Sequence, residues 1–335
     1  MEPLPKDENG ISSTALLSHA NAVVPYGKNR PVTYATQRYN LRSKSMYNRI
    51  LVPLDGSKVA ETVLPYARFL ATALQLPVDL MHINDPETVA PNIRPMHGAD
   101  YLKEVAASFP SGLTVNCRVE NGSAAEVIVD SASTDAGTLI TMATHGLSGG
   151  QRWLLGRVSQ KVLQASINHL LLIRPNEPTR SNREVRLSTV IVPLDGSKLA
   201  EKIFPHVGYV AARLNLHVLL LRTYTFPTAG YFMAAGVSLP AIDEVAAKIK
   251  EEVRDYLQGK EKELRGVGIT NVSSEVVEGK GPEEIIDLAR RTPDSLVAMS
   301  THGRSGIGRW VLGGVTDRVV CYCGEPVLVI RPTAS

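Results

Sequence analysis

Short, continuously apolar runs alternate with amphipathic stretches along this chain. Residues 50–54 and 190–194 are β-branched runs with no polar alternation, the pattern of a strand buried on both faces. Each is followed by Asp-Gly-Ser, where Ser57 or Ser197 can cap a helix, and the pattern predicts about 18 helical residues beyond it. Pro65 and Pro205 fall at the same place in the two predicted helices and predict a kink, because proline lacks a backbone donor and crowds the preceding turn. Further apolar runs predict second strands at 78–83 and 218–223, third strands at 113–119 and 272–277, and fourth strands ending at Met142 and Met299. A helix over about 242–265, with Glu244 and Lys248 at i,i+4 spacing, reads as a solvated amphipathic element. Alternation of this kind predicts an α/β fold with open, parallel, doubly wound sheets of five strands.

The pattern occurs twice because the sequence does. LVPLDGSKVAE at 51–61 recurs as IVPLDGSKLAE at 191–201, an offset of 140. THGLSGGQRWLLG at 144–156 recurs as THGRSGIGRWVLG at 301–313 with nine of 13 positions identical, now at an offset of 157. HLLLIRP and PVLVIRP close the two copies at Pro175 and Pro332. The second copy therefore carries 17 additional residues between its outer blocks. The expected organisation is an N-terminal extension over 1–49, a first domain over 50–175, a polar linker over 176–189 and a second domain over 190–332.

Composition agrees with two globular domains: 335 residues, 44% apolar and 21% charged, with no apolar run approaching the roughly 18 residues of a membrane span. Three cysteines cannot form a disulfide framework, and an N-terminus rich in acids and prolines does not read as a secretory signal, so a cytoplasmic location is expected. The net charge of +3 is unevenly spread. Residues 1–49 carry +4 and the remainder −1. Tyr26, Tyr34, Tyr39 and Tyr47 alternate with basic residues there, a composition suited to RNA, anionic lipid or a protein partner; the ordinary reading is a mobile extension. Nucleic acid is not an expected partner elsewhere.

In an open parallel sheet, ligands sit beyond the carboxyl ends of the strands where strand order reverses. The Asp-Gly-Ser turns, the ends of the second strands and the Thr-His-Gly loops fall there. Those loops are rich in glycine and run into a helix N-terminus, where bare N–H groups and the helix dipole favour an anion. A Walker loop, a GxGxxG fingerprint and a GxSxG elbow are all missing, which argues against kinase, dehydrogenase and hydrolase readings and for a binding module rather than an enzyme. His145 and His302 read as loop-orienting hydrogen bonders, Trp153 and Trp310 as core anchors, Cys321 and Cys323 as helix packing, and Asp55 and Asp195 as turn-forming or ligand-orienting groups. No metal site is expected.

With VPLDGS at the first strand, MATHG and MSTHG after the fourth, LLGRV or VLGGV following, and VLVIRP at the close, the sequence resembles the universal stress protein family. The resemblance covers nearly all of 50–332. It implies a stress-response regulatory module acting through protein partners, and a family divided into members that bind ATP with Mg2+ and members that do not. In the binding group an Asp after strand one contacts the nucleoside, the residue ending strand two meets adenine, and a G-x2-G-x9-G-[ST] loop holds the phosphates. Carried onto this chain, the nucleoside positions are Asp55 and Asp195, and the adenine positions Ile83 and Thr223. The second and third glycines are Gly146 and Gly156 in copy one, Gly303 and Gly313 in copy two. The first glycine is replaced by Ala143 and Ser300, and the hydroxyl position by Arg157 and Gly314. Ser159 and Thr316, two residues on, offer substitute hydroxyls if the helix starts late. Three readings stay open: an adenine-nucleotide sensor, a stress-responsive scaffold that binds no nucleotide, and, least supported because no general base or metal cluster is visible, slow ATP hydrolysis that depends on Asp195. The family also implies an internal pseudo-dimer of domains packed face to face and paired through residues 170–173 and 327–330, with a homodimer left open.

Overall fold

A computed structural model describes residues 45–87, 98–145, 155–175, 185–226, 239–300 and 313–331. The first copy begins with strand β1 (Arg49–Leu54), a 3-10 turn (Ala60–Val63), helix α1 (Leu64–Leu74) and β2 (Val78–Asn84). It continues through α2 (Gly98–Ala107), β3 (Val115–Asn121), α3 (Ala124–Ser133), β4 (Thr138–Ala143), α4 (Arg157–Ala165) and β5 (His169–Ile173). The second repeats it as β6 (Thr189–Pro193), α5 (Lys198–Glu201), α6 (Phe204–Leu214), β7 (His217–Tyr224) and α7 (Leu239–Gly266). Then come β8 (Val272–Glu278), α8 (Gly281–Arg291), β9 (Ser295–Ser300), α9 (Gly314–Tyr322) and β10 (Val327–Ile330).

Within each copy the spatial strand order is third, second, first, fourth, fifth, and every pairing is parallel. The fifth strands then meet each other antiparallel, Val327 opposite Leu172, Leu328 opposite Leu171 and Val329 opposite Leu170. One ten-stranded sheet results. The pairing segments are those expected, whereas the domains join edge to edge rather than face to face. The reason lies in the side chains. Strand residues alternate between faces, so Leu170, Leu172, Val327 and Val329 enter one buried layer while Leu171, Ile173, Leu328 and Ile330 enter the other, and both layers run across the junction. At about 1.5–3 kcal/mol for each fully buried aliphatic side chain, leaving these two edges apart would be costly.

The long kinked helices expected after Asp-Gly-Ser are broken instead. A 3-10 turn or the short α5 comes first, and a new helix begins with Pro65 or Pro205 in its opening turn, where the missing N–H has no intrahelical partner to lose. Ser197 caps α5 as predicted, its hydroxyl accepting from the Ala200 amide at 3.1 Å, whereas Ser57 accepts from the Ala60 amide at 3.0 Å ahead of a 3-10 turn whose own N-cap is Val59. Both α1 and α6 end on a left-handed residue at matched positions, Gln75 and Asn215. The third strands begin later in copy one and extend further in both copies than their apolar runs suggested, and α7 reaches 28 residues. Among the described residues no helix is long and apolar enough to cross a membrane.

Two residues grouped by sequence with the N-terminal extension belong to the body of the first copy. Tyr47 is 1% exposed within the core, and Arg49 lies in β1 with its guanidinium 2.8 Å from the buried Asp79 carboxylate. Asp79 also holds Arg118 and Asn116 at 2.8 Å.

Candidate functional site

Parallel register brings the predicted residues to one edge of the sheet. Leu54 lies opposite His82, which sets Asp55 beside Ile83; Leu51 opposite Ile140, carried forward, sets Ala143 beside Leu54. The second copy matches, with Pro193 opposite Leu221 and Ile191 opposite Val297, so Asp195, Thr223 and Ser300 share the equivalent edge. Beyond β1 the chain turns onto one face of the sheet, and beyond β4 onto the other. The gap between them is the switch point of a doubly wound fold.

The aspartates shape their own turns. Asp55 Oδ1 accepts from the Ser57 amide at 2.9 Å and from its hydroxyl at 2.6 Å, and Asp195 Oδ1 accepts from the Ser197 amide at 2.8 Å. Gly56 and Gly196 between them adopt φ of +83 and +84, a conformation that an L side chain strains to reach.

Across the gap, α4 and α9 begin at Arg157 and Gly314 with Gly156 and Gly313 as the residues before them. The Gly156 amide donates to the Thr144 carbonyl at 2.8 Å, and a Cβ at Gly156 would lie 3.2 Å from that oxygen and 3.3 Å from His145 Cα. A side chain there would push the strand end and the helix start apart. The helices do not start late. Ser159 and Thr316 are buried, and their hydroxyls donate to the carbonyls of Ala143 at 2.9 Å and Ser300 at 3.0 Å. These two hydroxyls tie the helix to the strand end and do not stand in for the missing phosphate ligand. The Thr144 hydroxyl and His145 Nδ1 lie 3.0 Å apart, the local hydrogen bond expected of a loop-orienting histidine. Gly146, Gly303, His302, Trp153 and Trp310 lie outside the described residues.

The two edges differ in charge. In copy one, Arg157 reaches from the start of α4 to Glu87 beyond β2, Nη1 to Oε2 2.8 Å, and no acidic residue occupies the first turn of α4. The neighbouring helix end is already filled, since the buried Asp85 carboxylate accepts from the Ala124 amide at 3.0 Å at the start of α3. Copy two has Gly314 at the Arg157 position, with nothing within 4 Å of a Cβ there among the described residues, and Asp317 in the first turn of α9.

Beneath each Asp-Gly-Ser turn is a group of side chains that the repeat alone did not reveal. Tyr256 of α7 donates to Glu201 at 3.1 Å, Lys260 lies 3.0 Å from the same carboxylate, and the Arg222 guanidinium sits 4.5 Å from the centre of the Tyr256 ring. A Cβ on Gly196 would come within 2.9 Å of Arg222 Nη2, so this cation supports the turn directly. Burial first, and then Glu201, hold the Tyr256 phenol far above its ordinary range. In copy one, His82, Tyr101 and Glu61 take the corresponding places. His82 Nδ1 lies 2.9 Å from the Leu54 carbonyl and its ring meets Tyr101 edge-on, while burial and Glu61 raise the Tyr101 phenol likewise. Glu61 and Glu201 stand inside the repeated block. The tyrosines lie in the segment whose length differs between copies, so no constant offset pairs them.

The fold and site thus define a tandem, doubly wound α/β protein with a helix N-terminus facing an Asp-Gly-Ser turn at each switch point. The family model described as the universal stress protein family matches residues 46–174 and 187–331, and the chain belongs to that family. A universal stress protein of Mycolicibacterium smegmatis is 23% identical over 84% of this chain and 97% of its own length. One from Mycobacterium tuberculosis is 26% identical over 85% and 97%. Among solved structures, a universal stress protein from Archaeoglobus fulgidus matches with a TM-score of 0.59 at 17% identity, covering 86% of this chain and 99% of its own. A protein of unknown function from Pseudomonas aeruginosa PAO1 matches at 0.64 and 15%, covering 87% and 95%. The solved structures share the fold, including the tandem arrangement across most of this chain.

Proposed function

We propose that this protein is a cytoplasmic stress-response regulator that binds an adenine nucleotide at the carboxyl edge of each half-sheet and acts through protein partners rather than by turnover. The observation that carries this reading is the start of α4 at Arg157 and of α9 at Gly314, each directly across the switch point from Asp55 or Asp195. A helix N-terminus offers unpaired amides and positive potential to phosphate, and the turn opposite offers a carboxylate of the kind that holds a ribose.

The residues fit such a ligand by shape. A Cβ at Gly156 would be tight against the strand end, and a Cβ at Gly314 would meet nothing within 4 Å among the described residues. In this reading Asp55 and Asp195 take the nucleoside, Ile83 and Thr223 flank the base, and the amides around Gly156 and Gly313 take the phosphates with Gly146 and Gly303. Ala143 and Ser300 replace the first glycine with small side chains. Arg157 supplies copy one with a cation in place of the hydroxyl, whereas copy two relies on backbone alone. ATP, when bound with Mg2+, supplies a ligand whose presence a partner can read.

Titration calorimetry with ATP, AMP and Mg2+ tests the reading. Stoichiometric binding abolished in the matching copy by Gly303→Val or Gly313→Val supports it, and silence at about millimolar ATP, the weak end of specific ligand affinities, overturns it.

One observation favours the second reading, a scaffold without nucleotide. Both copies lack the phosphate hydroxyl, and the substitutes at Ser159 and Thr316 are spent on strand-end carbonyls. Under that reading the same titration is silent while partner binding persists.

A further inference from the structure

The junction between the two domains contains an aromatic and imidazole cluster unrelated to the candidate nucleotide edge. His169 opens β5 of the first copy and His206 lies on α6 of the second; their rings meet edge to face with centroids 4.3 Å apart. Tyr47, from the segment before β1, places its hydroxyl 3.2 Å from His169 Nδ1 and packs its ring against both His169 and Tyr209 of α6. His206 Nδ1 is buried with no hydrogen-bond partner among the described residues. The repeat does not supply this cluster. His206 corresponds to Tyr66, and His169 to Pro326.

We propose that this cluster makes the domain junction acid-sensitive: a proton taken up by His169 or His206 loosens the β5–β10 pairing before either domain unfolds. Every hydrogen bond in the cluster is consistent with neutral rings. His169 donates to the Arg331 backbone carbonyl on one side and meets the Tyr47 hydroxyl at Nδ1 on the other, so an added proton on Nδ1 must displace the phenol's own hydrogen within a core where Tyr47 is 1% exposed. His206 Nδ1 has no acceptor waiting for a new N–H among the described residues.

Among the described groups facing the pair, the Arg331 backbone carbonyl favours a charged His169, and burial outweighs it. From the N-terminal segment come Ser45 and Tyr47, from α6 Tyr209 with Arg213 over its ring, and from the residue after β10 the largely enclosed Arg331. Among the described residues no carboxylate is among the charges that bear on either imidazole, and a second proton would bring two cations together. Burial holds His169 down at about 4, and burial with the neighbouring His169 holds His206 at about 3. The sign follows. With folded values below the ordinary 6.5, the paired junction binds fewer protons than the separated one, so it is most stable above that value and weakens as pH falls below it. Only three residues on each strand are paired here, and parting them bares two edges that another copy can pair with.

Hydrogen exchange of the full chain, corrected for intrinsic rates, tests this at 169–173 and 327–330 against the central strands 49–54 and 189–193. Between about pH 7.5 and 4.5 the junction amides are expected to open at least about tenfold more often while the central strands hold, in the manner of sub-global opening. The double variant His169→Gln, His206→Tyr is expected to abolish most of that increase. An unchanged increase in the variant, or central strands opening in step with the junction, overturns the proposal. If the variant does not fold, the imidazole proton resonances of the unaltered chain decide: both rings titrating near the ordinary 6.5 overturn it, and both lagging well below support it.

Discussion

Arg157 Nη1 and Glu87 Oε2 stand 2.8 Å apart, a cation at the start of α4 tied to a carboxylate just beyond β2. The pair spans the edge where copy one would hold a nucleotide, and both side chains are more than half exposed. An exposed pair of this kind contributes about 0.5 kcal/mol, so it restrains Arg157 without committing it. Glu87→Gln is therefore expected to leave stability nearly unchanged and to tighten ATP at copy one by about twofold, the same energy redirected to phosphate. Arg157→Ala is expected to weaken that binding by about tenfold or more, the cost of a charge-assisted contact. Calorimetry on a Gly313→Val background, which isolates copy one, measures both.

Copy two offers the converse change. Among the described residues nothing lies within 4 Å of a Cβ built at Gly314, so Gly314→Ser should fold normally and gain a few tenths of a kcal/mol in helix propensity. It restores the hydroxyl that the nucleotide-binding pattern requires. ATP affinity at copy two is expected to rise by about tenfold, the value of one hydrogen bond to a charged group. An unchanged affinity would assign copy two to the scaffold reading.

Ser159 and Thr316 should behave as structural residues. Each is buried with its hydroxyl on a strand-end carbonyl, so Ser159→Ala or Thr316→Val leaves that oxygen without its partner and costs about 1–3 kcal/mol. Denaturant unfolding should show the loss. ATP affinity, measured well below the transition, should be nearly unaltered, because neither hydroxyl faces the ligand.

Tyr47 is buried in the core, and Tyr47→Ala is expected to cost about 3–5 kcal/mol, as large aromatic truncations in a core do. Residues 1–44 carry a net +3, so salt-dependent binding to acidic partners should fall when they are deleted. Binding and salt dependence that survive the deletion would place the contact on the folded body.

Much of this was legible beforehand because duplication doubles every signal. The apolar runs, the Asp-Gly-Ser turns and the parallel, doubly wound sheet follow from local pattern and from the handedness of parallel crossovers. The edge carrying Asp55 and Gly156, or Asp195 and Gly313, follows from topology once the strands are placed. What escaped was whatever depends on distant partners. Pro65 and Pro205 read as kinks and proved to be helix starts, because a backbone donor is dispensable only where the chain can begin a new turn. The Tyr256–Glu201–Arg222 support escaped because its tyrosine lies outside any constant offset.

By itself the sequence determined a duplicated α/β protein with two matched candidate edges, since periodicity, capping and glycine placement are local properties that repetition makes unmistakable. Only the tertiary structure decided that the domains join edge to edge, that Tyr47 and Arg49 belong to the first of them, and that the Ser159 and Thr316 hydroxyls are already engaged. It also decided that two histidines from different copies meet at the junction. Each depends on which surfaces meet in space, and residues 37 apart along the chain, such as His169 and His206, carry no local mark of a contact between them.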